Sequence, residues 1–264
     1  MKEIIQAAIE AGKEIMAIYE TDFEVEYKED ESPLTIADQR SHEVIKQSLE
    51  ENYPDIPILS EEGRHLTYEE RKQWKEFWLV DPIDGTKEFI KKNGEFTVNI
   101  ALIRDGKPVK GVVYAPALDD LYVAEEGKGA YKVSSVLSNT RKDYSLNAES
   151  LPLEKPNSHV AKVVASRSHM SDETKAFIED LEDKYEKVET ISAGSSLKLC
   201  LVAEGKADFY PRYAPTMEWD TGAGQAIVEA SGGKVKVSGE NTSLTYNKKN
   251  LINPWFLACK SNFE

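Results

Sequence analysis

Nine consecutive residues, Asp81-Pro82-Ile83-Asp84-Gly85-Thr86-Lys87-Glu88-Phe89, carry the densest chemistry in the chain. Asp81 and Asp84 flank a bend that proline restricts. Two acids this close resist joint ionisation unless a cation lies between them. Oxygen-only donors of this kind suit Mg²⁺, which takes carboxylates, a backbone carbonyl, water and substrate phosphate. Gly85 lets the backbone approach a ligand closely, and Thr86 adds a hydroxyl at the same turn. An Asp-Pro pair followed by Asp-Gly is also ordinary turn chemistry. The apolar run Phe77-Trp78-Leu79-Val80 predicts a buried strand leading into the acids. That strand is expected to stop at Asp81-Pro82, because proline cannot extend a central ladder.

The remaining candidates are spread along the chain. Thr35 and Asp38 fit a capping box that opens a helix, and Asp38 could still turn its carboxylate into a site. Ser60-Glu61-Glu62 ends the short strand Pro57-Ile58-Leu59; such an acid pair is usually solvated. Val163 to Ser166 reads as a strand ending in Arg167-Ser168-His169, where a lone histidine is ordinarily a surface residue. Gly194-Ser195-Ser196 precedes a helix over Leu197–Glu204 that Gly205 closes. Exposed N–H groups and hydroxyls there suit phosphate, although serine N-capping explains the same string. Lys198 sits in the first turn, where its charge opposes the helix dipole. Arg212 ends the strand Ala207–Arg212 and suits bidentate phosphate binding, or a surface ion pair. Asp220, in Glu218-Trp219-Asp220, looks like a helix N-cap, with the small residues Gly222, Ala223 and Gly224 expected to let that helix pack beside the metals.

These positions need a scaffold, and the composition can supply one. The 264 residues are 40% hydrophobic and 30% charged, enough to bury a core beneath a solvated surface. Apolar positions from Ile4 to Tyr19 recur at helical spacing. Asp22–Ser32 is charged and predicts an exposed strand and loop. Residues 63–76 are polar and read as a surface helix or mobile flap. Thr97–Ile103, Val109–Tyr114 and Leu121–Ala124 predict an antiparallel meander, with a hairpin at Asp105-Gly106. The net charge of −14 argues against nucleic acid, whose phosphates need clustered Lys and Arg. Two cysteines without metal or redox spacing fit a cytoplasmic chain. No stretch is long and apolar enough to span a bilayer.

The string from Asp81 to Phe89 resembles the signature of the inositol monophosphatase superfamily of metal-dependent, lithium-sensitive phosphomonoesterases. Its Gly-Thr-Lys-Glu-Phe ending is similar to the bacterial 3'(2'),5'-bisphosphate nucleotidase branch. The segments 35–38, 60–62, 194–198 and 219–224 follow in the family's order. The resemblance implies an α/β fold, layered as an αβαβα sandwich. An α+β metal-binding half over 1–157 would precede an α/β substrate-binding half over 158–264. It implies two or three Mg²⁺ per site: one on Glu61, Asp81 and the Ile83 carbonyl, a second on Asp81, Asp84 and Asp220, and a weaker third near Glu61 and Asp38. Thr86 and Asp38 would be catalytic, orienting the attacking water. Glu61, Ile83, Asp84, Gly85, Thr86, His169, Ser195, Lys198, Arg212 and Asp220 would touch a small-molecule nucleotide.

The implied reaction removes the 3'-phosphate of adenosine 3',5'-bisphosphate, a by-product of sulfate activation; 3'-phosphoadenylyl sulfate is a second implied substrate. An inositol phosphatase or fructose bisphosphatase on the same fold is one alternative, separable by assay on each substrate. A non-catalytic nucleotide sensor is another, which would bind without releasing phosphate. Monomer and homodimer both fit the sequence. So do a wholly cytoplasmic location and a peripheral seat at the cytoplasmic face of the inner membrane.

Overall fold

The computed structural model describes residues 1–27, 33–138, 144, 147–154, 159–165 and 170–260. The chain opens with α1 (Lys2–Tyr19), β1 (Val25–Tyr27), β2 (Pro33–Thr35) and α2 (Ile36–Asn52). Then come β3 (Ile58–Ser60), α3 (Tyr68–Arg71), β4 (Glu76–Asp84) and α4 (Thr86–Ile90). A meander follows: β5 (Thr97–Arg104), β6 (Lys107–Ala115), β7 (Asp120–Glu125), β8 (Gly129–Ser134) and β9 (Glu149–Ser150). The remainder is β10 (Val160–Ala165), α5 (Asp172–Glu182), β11 (Lys187–Ser192), α6 (Leu197–Glu204), β12 (Phe209–Arg212), α7 (Glu218–Ala230), β13 (Lys234–Val237) and β14 (Phe256–Cys259).

Strands β3 to β9 form one sheet in sequence order. Its β3–β4 pair is parallel and every later pair antiparallel. The smaller sheet has the order β11-β10-β12-β14-β13 and mixes parallel and antiparallel pairs. Helices α1 and α2 cover one face of the larger sheet, while α7 lies on the other and touches α6. Helix α6 contacts β10, β12 and β14 of the smaller sheet, and α5 contacts β10, β11 and β12. The layers therefore read αβαβα, as the resemblance implies.

Strand β4 is buried from both sides, which explains its unbroken apolar run. Phe77 and Leu79 join the cluster under α7, whereas Trp78 and Val80 join the one under α1 and α2. Alternation then assigns Asp81 to the α7 side. Contrary to expectation, β4 does not stop at Asp81. Asp81 pairs with Asn99 and Asp84 with Thr97, so Pro82 and Ile83 oppose Val98 alone. This bulge accommodates a proline that a regular ladder would reject, and it re-aims the side chains beyond it. The Ser41 hydroxyl of α2 donates to the Pro82 carbonyl at 2.8 Å and ties the bulge down.

The stretch 63–76, expected as a surface helix or mobile flap, holds the short helix α3. Its Arg71, 2% exposed, donates to Asn247 and to the carbonyls of Lys248 and Lys249. A buried guanidinium held by three acceptors anchors the stretch to the C-terminal half. In the expected loop after Asp22, β1 pairs with β2, and residues 28–32 lie outside the described residues.

Candidate active site

The site forms where the end of β4, the starts of α2 and α7, and the approach to α6 converge. Helix α2 begins at the expected capping box: Asp38 Oδ2 accepts the Thr35 N–H at 2.8 Å and its hydroxyl at 2.7 Å. Capping leaves the other oxygen available, and Thr86 Oγ1 lies 3.2 Å from Asp38 Oδ1. Asp38 thus caps the helix and contacts Thr86 at once. Thr86 is also 3.3 Å from the Ile83 carbonyl. Gly85, at φ 92°, caps α4 in the left-handed region. A Cβ there would lie 3.2 Å from both the Glu95 carbonyl and Ser195, so glycine is required by angle and by space.

Glu61 leaves β3 with its N–H on the Val80 carbonyl at 3.1 Å, which brings it beside Asp81. Asp220 is not the N-cap of α7, as its sequence context suggests. Met217 is the cap, and Asp220 sits in the first turn, accepting the Met217 N–H at 2.8 Å. The helix begins one residue after Met217, so Asp220 reaches back to it while facing the sheet. Gly222 and Gly224 let α7 pack closely, as small residues there are expected to do. A Cβ on Gly222 would meet Leu79 at 2.8 Å, and one on Gly224 would meet Leu199 at 2.4 Å. These glycines set α7 close to β4 and α6, and that approach delivers Asp220.

Carboxylate oxygens of Glu61, Asp81 and Asp220 all lie within 4.8 Å of one another. Asp81 is 1% exposed, and its Oδ1 has no hydrogen-bond partner. Burial first, then the charges of Glu61, Asp84, Asp220 and Asp38, hold the Asp81 carboxyl well above the usual range. Burial and Asp84 likewise push Asp220 up to about 8, against the lowering effect of the Met217 N–H. An orphaned buried oxygen inside a ring of acids is the electrostatic signature of a site that fits a divalent cation.

Beside the acids opens a cleft of about 580 Å³, lined by Asp84, Gly85, Ser195, Lys198, Arg212 and Asp220 among others. Ser195 adopts a left-handed φ of 45°, which turns it at the mouth of α6. Lys198 is 9% exposed; its Nζ donates to the Ser195 carbonyl at 3.0 Å and lies over the Tyr210 ring. Arg212 Nη2 donates to the Pro215 carbonyl at 3.1 Å, and its Nε has no hydrogen-bond partner. Lys87 and Lys91 also line the cleft. His169 lies outside the described residues.

Sequence reasoning missed Ser196 and Asn99. Ser196 Oγ is 2.7 Å from Asp84 Oδ2 and 2.8 Å from the Asp220 carbonyl. Asn99 Nδ2 donates to Ser196 at 2.9 Å. A signal for Asn99 was available: Thr97 and Asn99 place polar groups on one face of an otherwise apolar strand, and both are buried.

The chain matches the description "Inositol monophosphatase family" over residues 1–257. It is 46% identical over 259 residues to the 3'(2'),5'-bisphosphate nucleotidase CysQ of Salmonella typhimurium, covering 97% of this chain and 98% of that protein. The CysQ of Escherichia coli K12 is 44% identical, with the same coverage. Among solved structures, CysQ from Bacteroides thetaiotaomicron superposes with a TM-score of 0.88 at 50% identity, covering 99% of this chain and 97% of that one. Thermotoga maritima IMPase superposes at 0.73 with 25% identity, covering 97% and 90%. With near full-length identity of this order and a buried acid cluster in the matching layered fold, the chain belongs to the inositol monophosphatase family.

Proposed function

We propose that this chain is a Mg²⁺-dependent phosphomonoesterase of the 3'(2'),5'-bisphosphate nucleotidase type. It hydrolyses the 3'-phosphate of adenosine 3',5'-bisphosphate to AMP and phosphate, and takes 3'-phosphoadenylyl sulfate as a second substrate. The observation that carries this reading is the triplet Glu61, Asp81 and Asp220, whose carboxylate oxygens lie within 4.8 Å of one another around the buried Asp81, beside a cleft lined by Lys198 and Arg212. The relatives named CysQ supply the substrate class.

Glu61, Asp81, Asp84, Asp220 and the Ile83 carbonyl would hold two or three Mg²⁺. When bound, the ions neutralise phosphoryl charge and make water a better nucleophile. The protein's own part is mainly positioning, which phosphoryl transfer chiefly needs. Asp38, fixed by two bonds from Thr35, accepts the Thr86 hydroxyl proton. That leaves Thr86 lone pairs to accept from the attacking water and to pass its proton toward Asp38. The leaving ribose oxygen is read as seated near Asp220. Lys198 and Arg212 bring positive charge to the cleft wall, and Arg212 suits the second phosphate. Ser195 and His169 complete the nucleoside contacts in this reading.

We read the chain as two halves, 1–157 and 158–264, supported by a larger sheet built from residues 58–150 and a smaller one from 160–259. A cytoplasmic setting is supported by Cys200 and Cys259 as separate buried thiols. Among the described residues, no helix is long and apolar enough to cross a membrane. The test is phosphate release from adenosine 3',5'-bisphosphate, myo-inositol phosphate and fructose bisphosphate, with and without Mg²⁺ and lithium. Preference for the nucleotide, lost on chelation and inhibited by lithium, is the expected outcome. Preference for inositol phosphate would overturn the substrate class, and binding without phosphate release would make the chain a sensor.

A further inference from the structure

We propose that Ser196, seated on Asn99, is a positioning residue that aims Asp84 at the cation. This rests on the metal-site reading above and adds to it. Ser196 stands at the N-cap position of α6, where a serine hydroxyl ordinarily accepts a backbone N–H. Here it makes no cap bond, and the residue keeps helical angles, φ −68° and ψ −6°. The hydroxyl has been turned away from the helix it would normally cap.

It is directed instead to two groups of the site, Asp84 Oδ2 at 2.7 Å and the Asp220 carbonyl at 2.8 Å. A hydroxyl has one proton and two lone pairs. Asn99 Nδ2 donates into one lone pair at 2.9 Å, and the same amide lies 3.4 Å from Asp84 Oδ2. With that lone pair filled, the proton faces the two acceptors, of which a carboxylate is the stronger. Asp84 Oδ2 is thereby held from two sides, leaving Oδ1 as its oxygen for the acid cluster. Ser196 and Asn99 are 3% and 1% exposed, so water does not substitute for either. Asn99 lies opposite Asp81 in the β4–β5 register. One amide–hydroxyl pair therefore touches the strand that carries Asp81, the side chain of Asp84 and the backbone of Asp220. Partners of this kind typically change metal affinity by ~10–100-fold when removed.

The experiment measures Mn²⁺ binding to metal-free protein by electron paramagnetic resonance, beside thermal unfolding in chelator. Ser196→Ala is expected to weaken Mn²⁺ binding by ~10–100-fold in protein that still unfolds cooperatively without metal. Ser196→Thr, which keeps the hydroxyl, restores the affinity. The KM for adenosine 3',5'-bisphosphate at saturating Mg²⁺ stays at the wild-type value in both. Ser196→Cys, nearly isosteric and a weak donor, reproduces the loss and carries the test should the alanine variant not fold. Wild-type affinity in Ser196→Ala or Ser196→Cys overturns the proposal and leaves the metal site standing. Absence of Mn²⁺ binding in the wild type overturns both together.

Discussion

Asp81 and Glu204 are both carboxylates at 1% exposure, yet their surroundings are opposite. Glu204, at the end of α6, accepts the Tyr122 hydroxyl at 2.5 Å and pairs with Lys132 at 3.4 Å and with Lys206. Its charge is balanced where it was buried. Glu218 follows the same pattern, with Lys248 at 2.7 Å and two backbone N–H groups. Asp81 has other acids as its charged neighbours where Glu204 has two lysines. Burying an ion is costly unless it is paired, so Asp81 either keeps a proton or takes a cation brought from outside. Burial alone does not mark the site; burial without compensation does.

The contrast can be broken most severely at Asp84. Asp84→Asn removes a charge that the cation needs, and kcat should fall by ~10³-fold or more, on the order of 4 kcal/mol of barrier. Near-normal turnover at low Mg²⁺ would remove Asp84 from the cage. At the balanced site the same kind of change should act on folding. Glu204→Ala leaves Lys132 with Asp120 alone, at 2.7 Å, and strands the buried Tyr122 hydroxyl; it is expected to cost ~1–3 kcal/mol of stability in urea unfolding, with kcat of the folded enzyme retained. A loss of kcat without loss of stability would erase the distinction between the two acids.

Smaller effects sharpen the comparison. Arg212→Ala should lower kcat/KM for bisphosphate nucleotides by ~10-fold or more, the worth of a hydrogen bond to a charged group. Monophosphates should lose less, and equal losses would show that Arg212 does not read the second phosphate. The mildest test is pH. Asp220 rises from an ordinary 3.8 to about 8 in the folded chain. Its protonated form is favoured by folding, so this contribution is full below pH 3.8 and fades as pH climbs to about 8. Metal-free protein should therefore melt several degrees lower at about pH 9 than at about pH 5, as ~1–2 kcal/mol would produce. Mg²⁺ should abolish the difference; a flat metal-free profile would mean the acids are already compensated.

Much of the scaffold was legible because local rules governed it. Thr35 and Asp38 announced their capping box, Asp105-Gly106 its hairpin, and Gly205 the end of α6, whose φ is 83°. The failures came where distant packing overrode a local rule. Pro82 should have ended β4, but the bulge and the Ser41 hydroxyl carry the strand on to Asp84. The polar run at 63–76 suggested a surface helix or mobile flap, and it does not show that Arg71 finds its acceptors about 176 positions later. Asp220 was read as a cap because a turn signal cannot state which residue the helix starts from; Met217 holds that place.

By itself, the sequence determined which residue types were available and the family to which their order belongs, since Asp81 to Phe89 is contiguous and its neighbours in the chain are its neighbours in space. What the tertiary structure alone decided is which of these acids meet, and what holds them. Asp84 and Ser196 are separated by 112 positions and lie 2.7 Å apart, and Ser196 looked in the chain like a helix cap. The direction of a hydroxyl depends on every acceptor within reach, and only the packing of α6, α7 and β4 brings those acceptors together.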